Sequence, residues 1–475
     1  MASVAADLVV VGGGLAGMAA AIRAAEQGLK PLVIEQGSDA AYLCNSRITI
    51  GVFQVALHDM LGSADSLVKA IDAATHNYVA ADLRDAYAAG AEPALRWLFS
   101  LGIRTISGGH ATRSLATLAP PVPRQPGLHW QGRAGDVMLR TLTAKLEALG
   151  GSLRRGLRAR ELIIENGRCV GVVASAGEET HRLEARGVVI ADGGFQANDD
   201  LLRRFVSKHP ERLLQRNART GRGDGLMMAE AAGAALTDME CFYGHVQSRD
   251  AMKNPSLWPY PTMDFPISAG LAVDASGKRF TDEGLAGVSV ANAMARLDDP
   301  LGCVAIFDSA IWDASAKTYV MSANPFLTQS GGTAHRANTV AEAATLAGVP
   351  GEAVAQTVKQ YNEAVAAGTL SSLDPPRSAD TGHPWGSKAM PIATAPFYAV
   401  PLCAGITYTM GGVAVDPSAR VLHKSGAPIG GLYAAGAAIG GLEGGPVVGY
   451  SGGLAKALVF GKIAGESAAR DIKGA

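Results

Sequence analysis

Cysteine is scarce in this chain and dispersed: five in 475 residues, Cys44, Cys169, Cys241, Cys303 and Cys403, with no CxxC, no CxxCH and no Cys/His cluster at ligand spacing. That spacing offers no thiolate metal site, attached haem or iron–sulfur cluster, and it reads as reduced thiols in a cytoplasmic protein. Charge of one sign is missing too. The 42 Lys and Arg balance 43 Asp and Glu to a net −1, so electrostatics give no reason to expect nucleic acid or an anionic membrane as partner. No apolar run is long enough to cross a bilayer. The opening MASVAAD has no basic region, which argues against a signal peptide or lipid anchor. Glycine, by contrast, is abundant at 58 residues, and 48% of the chain is hydrophobic. At this length two domains are expected.

The glycines begin to make sense in residues 7–36. A continuous apolar run, 7–11, reads as a buried parallel strand and ends in Gly12, Gly13 and Gly14. Gly12-x-Gly14-x-x-Gly17 fits a dinucleotide fingerprint: a tight turn, room for a pyrophosphate, and close packing of helix on strand. An Ala-rich helix is expected over 15–27 and a second strand over 31–34. That strand delivers Glu35 at the place where an acid holds a ribose 2′-hydroxyl, arguing against a 2′-phosphate.

Further on, periodicity predicts helices over 66–75, 82–101 and 136–149, with a Pro-rich loop at 119–127. Strands at 157–164 and 169–174 are joined by the hairpin signal Asn166-Gly167, part of a β-meander inserted in a wound sheet. A third buried strand, 187–191, again runs into glycines, Gly193 and Gly194. Asp224 is expected to cap a helix over 225–232. Between about 239 and 403 the character changes: Pro, Trp and Tyr concentrate in 254–266, and two helices, 340–346 and 352–366, stand amid irregular chain. From 405 the glycine-rich pattern resumes, with a last strand at 432–435 and a closing helix over 453–469. The two ends are therefore expected to form one discontinuous nucleotide domain, with the middle as a cap.

The motifs GGGLAG, ADGGFQAN, TGRGDGLMMAEAAGAALTDM, SGKRFTDE, TMGGVAVD and GGLYAAGA, in this order, resemble the fumarate reductase/succinate dehydrogenase flavoprotein family across nearly the whole chain. The resemblance implies an α/β architecture: a Rossmann-like FAD-binding domain (1–238 and 405–475) with an inserted α+β capping domain (239–404) and a substrate held between them. Carried over residue by residue, FAD contacts fall on Gly12, Gly14, Gly17, Glu35, Asn45, Ser46, Gly51, Gly193, Gly194, Asp224, Gly436 and Ser451. Where the family often has Glu after the glycine of the GLYAAG-like motif, this chain has Ala437. Residues 45–54 lack the His that carries flavin covalently in some relatives, so noncovalent FAD is expected. With no haem or iron–sulfur motif, electrons must leave to a separate acceptor.

The substrate half departs from the family. The Arg that clamps a dicarboxylate in fumarate reductases falls here on Val447 or Val448, and residues 259–270 lack the expected proton-donating Arg. His245 matches a substrate-side His, whereas another family His is replaced by Thr407 or Tyr408. Without cations a small dianion would be costly to desolvate, so a neutral or monoanionic, more apolar substrate is expected. Other relatives, the 3-ketosteroid and cyclic-ketone dehydrogenases, polarise a ketone with a Tyr hydroxyl and a backbone N–H. Tyr450 and Tyr408 stand nearest that role, with Gly452 as an N–H donor and His245 as a further catalytic candidate. Tyr243 reads as structural; Trp130, Trp258 and Tyr260 read as core residues able to wall a pocket. Arg124 and Arg133 read as solvated, either one a conceivable substitute clamp. The expected activity is α,β-desaturation of a cyclic or apolar ketone by hydride transfer to flavin. Two alternatives are an enoate reductase or carboxylate dehydrogenase with a different anchor, and an electron-transfer flavoprotein subunit.

Overall fold

The computed structural model describes residues 3–109, 114–319, 321–379 and 386–474. Leu8–Val11 and Pro31–Glu35 are fully buried strands, paired in parallel and joined by the helix Leu15–Glu26. Val188–Ile190 pairs in parallel with Leu8–Val11 on one side and with Pro428–Ala434 on the other. The register sets Ile34, Val11, Ile190 and Ala434 side by side. Four strands thus end together, with Glu35 closing one of them and Gly12, Gly193 and Gly436 in the segments that follow the others. This is the carboxyl edge at which open α/β sheets bind ligands.

Ten strands make up this sheet, its outer part being the meander Arg158–Glu165, Arg168–Ala176 and Glu179–Ala185. The turn at Asn166 and Gly167 has φ of 49° and 74°, the left-handed pair that a two-residue hairpin requires. Behind the sheet the closing helix, Gly453–Lys473, lies on Leu15–Glu26. A Cβ at Gly461 or Gly465 would come within 2.5 or 2.3 Å of the Ala16 and Ala20 carbonyl oxygens, so glycine sets how closely the two helices approach.

A second sheet of six strands is built on Phe397–Thr409, which is 13 residues long. It pairs antiparallel with Phe242–Ser248, Val304–Asp308 and His335–Ala337, and parallel with Leu214–Gln215. The sequence pattern hides this strand in expected irregular chain, because Pro401 and Gly405 interrupt its β pattern. The helix Ala286–Ala295 was likewise unforeseen. Helices Val340–Leu346 and Gly351–Ala367 lie where the periodicity placed them.

One irregularity in this sheet shapes the site. Tyr243 faces Tyr408 across the ladder, but Gly244 faces Ile406, so Thr407 is an extra residue in a β-bulge. A bulge re-aims side chains locally. Here Thr407 and Tyr408 both border the same cavity.

Candidate active site

A single continuous cleft runs from the ends of the parallel strands to the second sheet. Its near part is lined by Gly12, Gly14, Glu35, Asn45, Ser46, Asp192, Gly193, Gly194, Asp224 and Gly436. Its far part is lined by Tyr243, Trp258, Tyr260, Tyr319, Tyr408, Tyr450 and Arg216. Of the residues expected to touch a cofactor, Gly17, Gly51 and Ser451 stand behind the wall rather than in it. Gly17 acts by packing: a Cβ there would sit 2.0 Å from the Gly12 carbonyl oxygen.

Glu35 does more than await a ribose. Its carboxylate accepts N–H bonds from Gly13 at 3.0 Å and Gly37 at 2.9 Å, pinning the glycine turn, while burial pushes its pKa up against those bonds. Ser46 Oγ accepts from the Leu15 N–H at 3.0 Å, beside the glycine-capped start of the helix. Asn45, which opens the short helix Asn45–Ile48, reaches the second sheet, donating to the Thr407 carbonyl and accepting from the Ala218 N–H, each at 2.9 Å.

Asp224 departs from expectation. The helix Asp224–Ala231 is capped by Gly223 in the left-handed conformation, and Asp224 makes no cap. Its carboxylate is gripped by the fork of Arg158, at 2.6 and 2.7 Å. Asp192 carries a buried oxygen, Oδ1, at the cavity wall with no hydrogen-bond partner among the described residues, and burial pushes its pKa up to about 7. Gln196 has a second such atom, Oε1.

The far part holds a chain of coupled side chains. The Asp264 carboxylate accepts from His245 Nδ1 and from the Val246 N–H at 3.0 Å. With its proton on Nδ1, His245 presents a lone pair at Nε2, 2.9 Å from the Tyr243 hydroxyl. His245 is 5% exposed and Asp264 2%; burial lowers the histidine pKa even with the carboxylate opposing it. Tyr243, read as structural from sequence, is therefore the member of this chain that reaches the cavity. Its ring stacks on Tyr450, centroids 4.1 Å apart and planes at 16°. The Tyr450 hydroxyl accepts from the Gly453 N–H at 3.2 Å, with Gln54 and Tyr243 as further hydrogen-bonding neighbours.

Tyr408 is committed elsewhere. Its hydroxyl donates to both Glu443 oxygens at 3.0 Å, and Glu443 also pairs with Lys456 at 2.7 Å. The Gly452 N–H donates to Glu443 at 3.1 Å, so it is not spare for a substrate oxygen.

The expectation of a pocket without a cation is overturned by Arg216. It is 7% exposed and borders the cleft. Its Nε donates to the Pro259 carbonyl at 3.0 Å, and its Nη1 to Thr407 Oγ1 at 2.9 Å. The guanidinium lies 5.2 Å from the Tyr260 ring centre. No carboxylate pairs with it among the described residues. Arg124 and Arg133, the sequence candidates for a clamp, are exposed and do not line the cleft. No motif marked Arg216, because it reaches the cleft only through the pairing of Leu214–Gln215 with Phe397–Thr409.

Against known proteins, residues 7–448 match the FAD binding domain family. The chain belongs to that family. It is 31% identical over 332 residues to the NADH:acrylate oxidoreductase of Vibrio harveyi, covering 69% of this chain and 31% of that protein. It is 26% identical over 492 residues to the urocanate reductase of Eggerthella lenta, covering 98% and 74%. The chain thus spans less than a third of the Vibrio protein and about three quarters of the Eggerthella protein. Among solved structures it resembles the 3-ketosteroid-Δ4-(5α)-dehydrogenase of Rhodococcus jostii RHA1, with a TM-score of 0.73, 25% identity and coverage of 98% and 97%. The resemblance to fumarate reductase flavoproteins drawn from the motifs holds.

The cofactor is FAD, and the relatives named here are an oxidoreductase, a reductase and a dehydrogenase. The cleft fits that group on its own terms. The open glycine edge and the helix start at Leu15 suit a pyrophosphate, Glu35 suits a ribose, and the unsatisfied Asp192 and Gln196 oxygens await donors. No helix among the described residues is long and apolar enough to cross a membrane.

Proposed function

We propose that this FAD-binding chain interconverts a saturated carbonyl compound and its α,β-unsaturated counterpart, with a ring-bearing ketone as substrate. The observation that carries the reading is the tyrosine cluster backed by a buried histidine and carboxylate. FAD, when bound, supplies hydride acceptance and return. The protein's own task is then the proton. Removing a Cα proton needs an acceptor, and a neutral Tyr243 can take one only by releasing its own. His245 Nε2, 2.9 Å away, is placed to receive it, and Asp264 stabilises the imidazolium that results. Tyr450, stacked on Tyr243, is the candidate to polarise the carbonyl. Tyr408, held by Glu443, orients that wall.

In this reading residues 1–238 and 405–475 form a Rossmann-like cofactor unit and 239–404 a cap, with the strand Phe397–Thr409 crossing the boundary between them. FAD is held noncovalently, and a separate small acceptor or donor protein carries the electrons. The test is anaerobic mixing of the yellow protein with a panel of cyclic ketones and enones. Bleaching by a ketone, or reoxidation of reduced flavin by an enone, supports the reading. No spectral response from any of them overturns it. Acid precipitation should leave the yellow colour in the supernatant; colour retained in the pellet would contradict noncovalent binding.

A further inference from the structure

We infer that Arg216 forms an anion subsite, and that the substrate is an oxo-monocarboxylate whose carboxylate seats there while its ring carbonyl faces the tyrosines. The inference rests on the cleft being the substrate site and adds the class of molecule that fills it. Five N–H donors leave a guanidinium, and only Nε and Nη1 find partners among the described residues, both of them neutral oxygens. Every other arginine or lysine that is nine-tenths or more buried here touches a carboxylate: Arg47 meets Asp136, Lys456 meets Glu443, and Arg279 and Arg377 share Glu283. Arg216 is the exception among the described residues, and it is the one that borders the far cleft.

A buried guanidinium without a counter-ion is destabilised until an anion arrives, and its planar fork suits a carboxylate. The surroundings shape what the anion is attached to. Trp258, Tyr260 and Tyr319 wall the cleft beside Arg216, with Tyr260 and Tyr319 rings 5.6 Å apart, so an apolar ring attached to the anion has aromatic surface to pack against. A single cation argues for one carboxylate rather than two. The tether to Thr407 fixes the fork, because the bulge in Phe397–Thr409 leaves Thr407 out of the ladder register, at the cavity wall.

Titration of the oxidised FAD-loaded enzyme with 4-oxocyclohexanecarboxylate and, separately, with its methyl ester tests this through the visible flavin spectrum. The acid is expected to bind at least tenfold more tightly than the ester. Arg216→Gln should abolish that preference by weakening the acid alone, and Arg216→Lys should restore part of it. Equal affinity for acid and ester in the wild type overturns the anion subsite while leaving the ketone reading intact, and this comparison needs no variant to fold. Equal weakening of both ligands by Arg216→Gln also overturns it, showing a wall residue. Failure of both ligands to perturb the flavin overturns the subsite; if the ketone and enone panel is also silent, the ketone reading falls with it.

Discussion

Two buried cations stand at the same cleft, Arg216 in its wall and Lys456 behind Tyr408, and they are solvated in opposite ways. Lys456 and Glu443 are both fully enclosed, 2.7 Å apart, and Glu443 further accepts from the Tyr408 hydroxyl and the Ser451 and Gly452 N–H groups. Its acceptors are filled by the protein itself, so the pair fixes the wall that carries Tyr408 and Tyr450. Arg216 has carbonyl and hydroxyl partners but no acid among the described residues. A charge neutralised internally is architecture; a charge left for a ligand is recognition, and its cost falls on the ligand-free protein.

The strongest way to break that contrast is to remove Glu443. Glu443→Ala strands Lys456 and three other donors without an acceptor. It should destabilise the protein by about 3–5 kcal/mol, measured as a fall in chemical-denaturation midpoint. Loss of under about 1 kcal/mol would mean that the pair is not the anchor described.

A smaller effect, on turnover rather than folding, is expected at the other end of the cluster. Asp264→Asn should lower kcat by roughly 100-fold while KM changes little, as for a group that assists proton transfer without touching substrate. The pH profile separates this from mere loosening. In the desaturation direction His245 must be neutral to accept a proton, so activity falls as pH drops through its pKa. Burial lowers that pKa and Asp264 raises it, with Arg216 lowering it further. Removing the carboxylate should therefore move the acid limb to lower pH. A limb that stays in place would detach His245 from the mechanism.

These residues also show what could be read from sequence and why. Gly12, Gly14, Gly17 and Glu35 were legible because strand, turn, helix and acid lie within 30 residues, and local chain geometry dictates their meeting. The hairpin at Asn166 and the helix Val340–Leu346 were legible for the same reason. Tyr243 and Arg216 were not. Each reaches the cleft through strand pairing with Phe397–Thr409, more than 150 residues away, and that strand was itself hidden by Pro401 and Gly405. The motif position that implies an arginine carries Val447 or Val448 here, and a pocket without charge follows from that position alone. The Asp224 cap failed by one residue, since Gly223 takes the left-handed position that begins the helix.

Asp192 offers an intermediate case, an acid that forms no salt bridge among the described residues and borders the cofactor half of the cleft. Burial pushes its pKa up to about 7, against roughly 3.9 in an unfolded chain. Between those values the native protein holds a proton that the unfolded chain has released. Stability of the FAD-free protein should therefore decline as pH rises from about 4 to 7 and level off beyond. Because the cleft is open to solvent, the effect is on the order of 1–2 kcal/mol. Asp192→Asn should flatten that slope; an unchanged slope would place the titration elsewhere.

The smallest effect has the opposite sign to the first and decides the comparison. Arg216→Met keeps a long, flexible side chain in place while removing a buried charge that no acid among the described residues offsets. Two hydrogen bonds to neutral oxygens are lost with it, each worth about 1 kcal/mol net, and the relief of desolvation opposes that loss. Ligand-free protein is therefore expected to be unchanged or up to about 1 kcal/mol more stable, in contrast to the penalty at Glu443. Matched denaturation of the two variants reads this directly. Destabilisation at Arg216 as large as at Glu443 would show that its carbonyl and hydroxyl partners suffice, and that both cations are architecture.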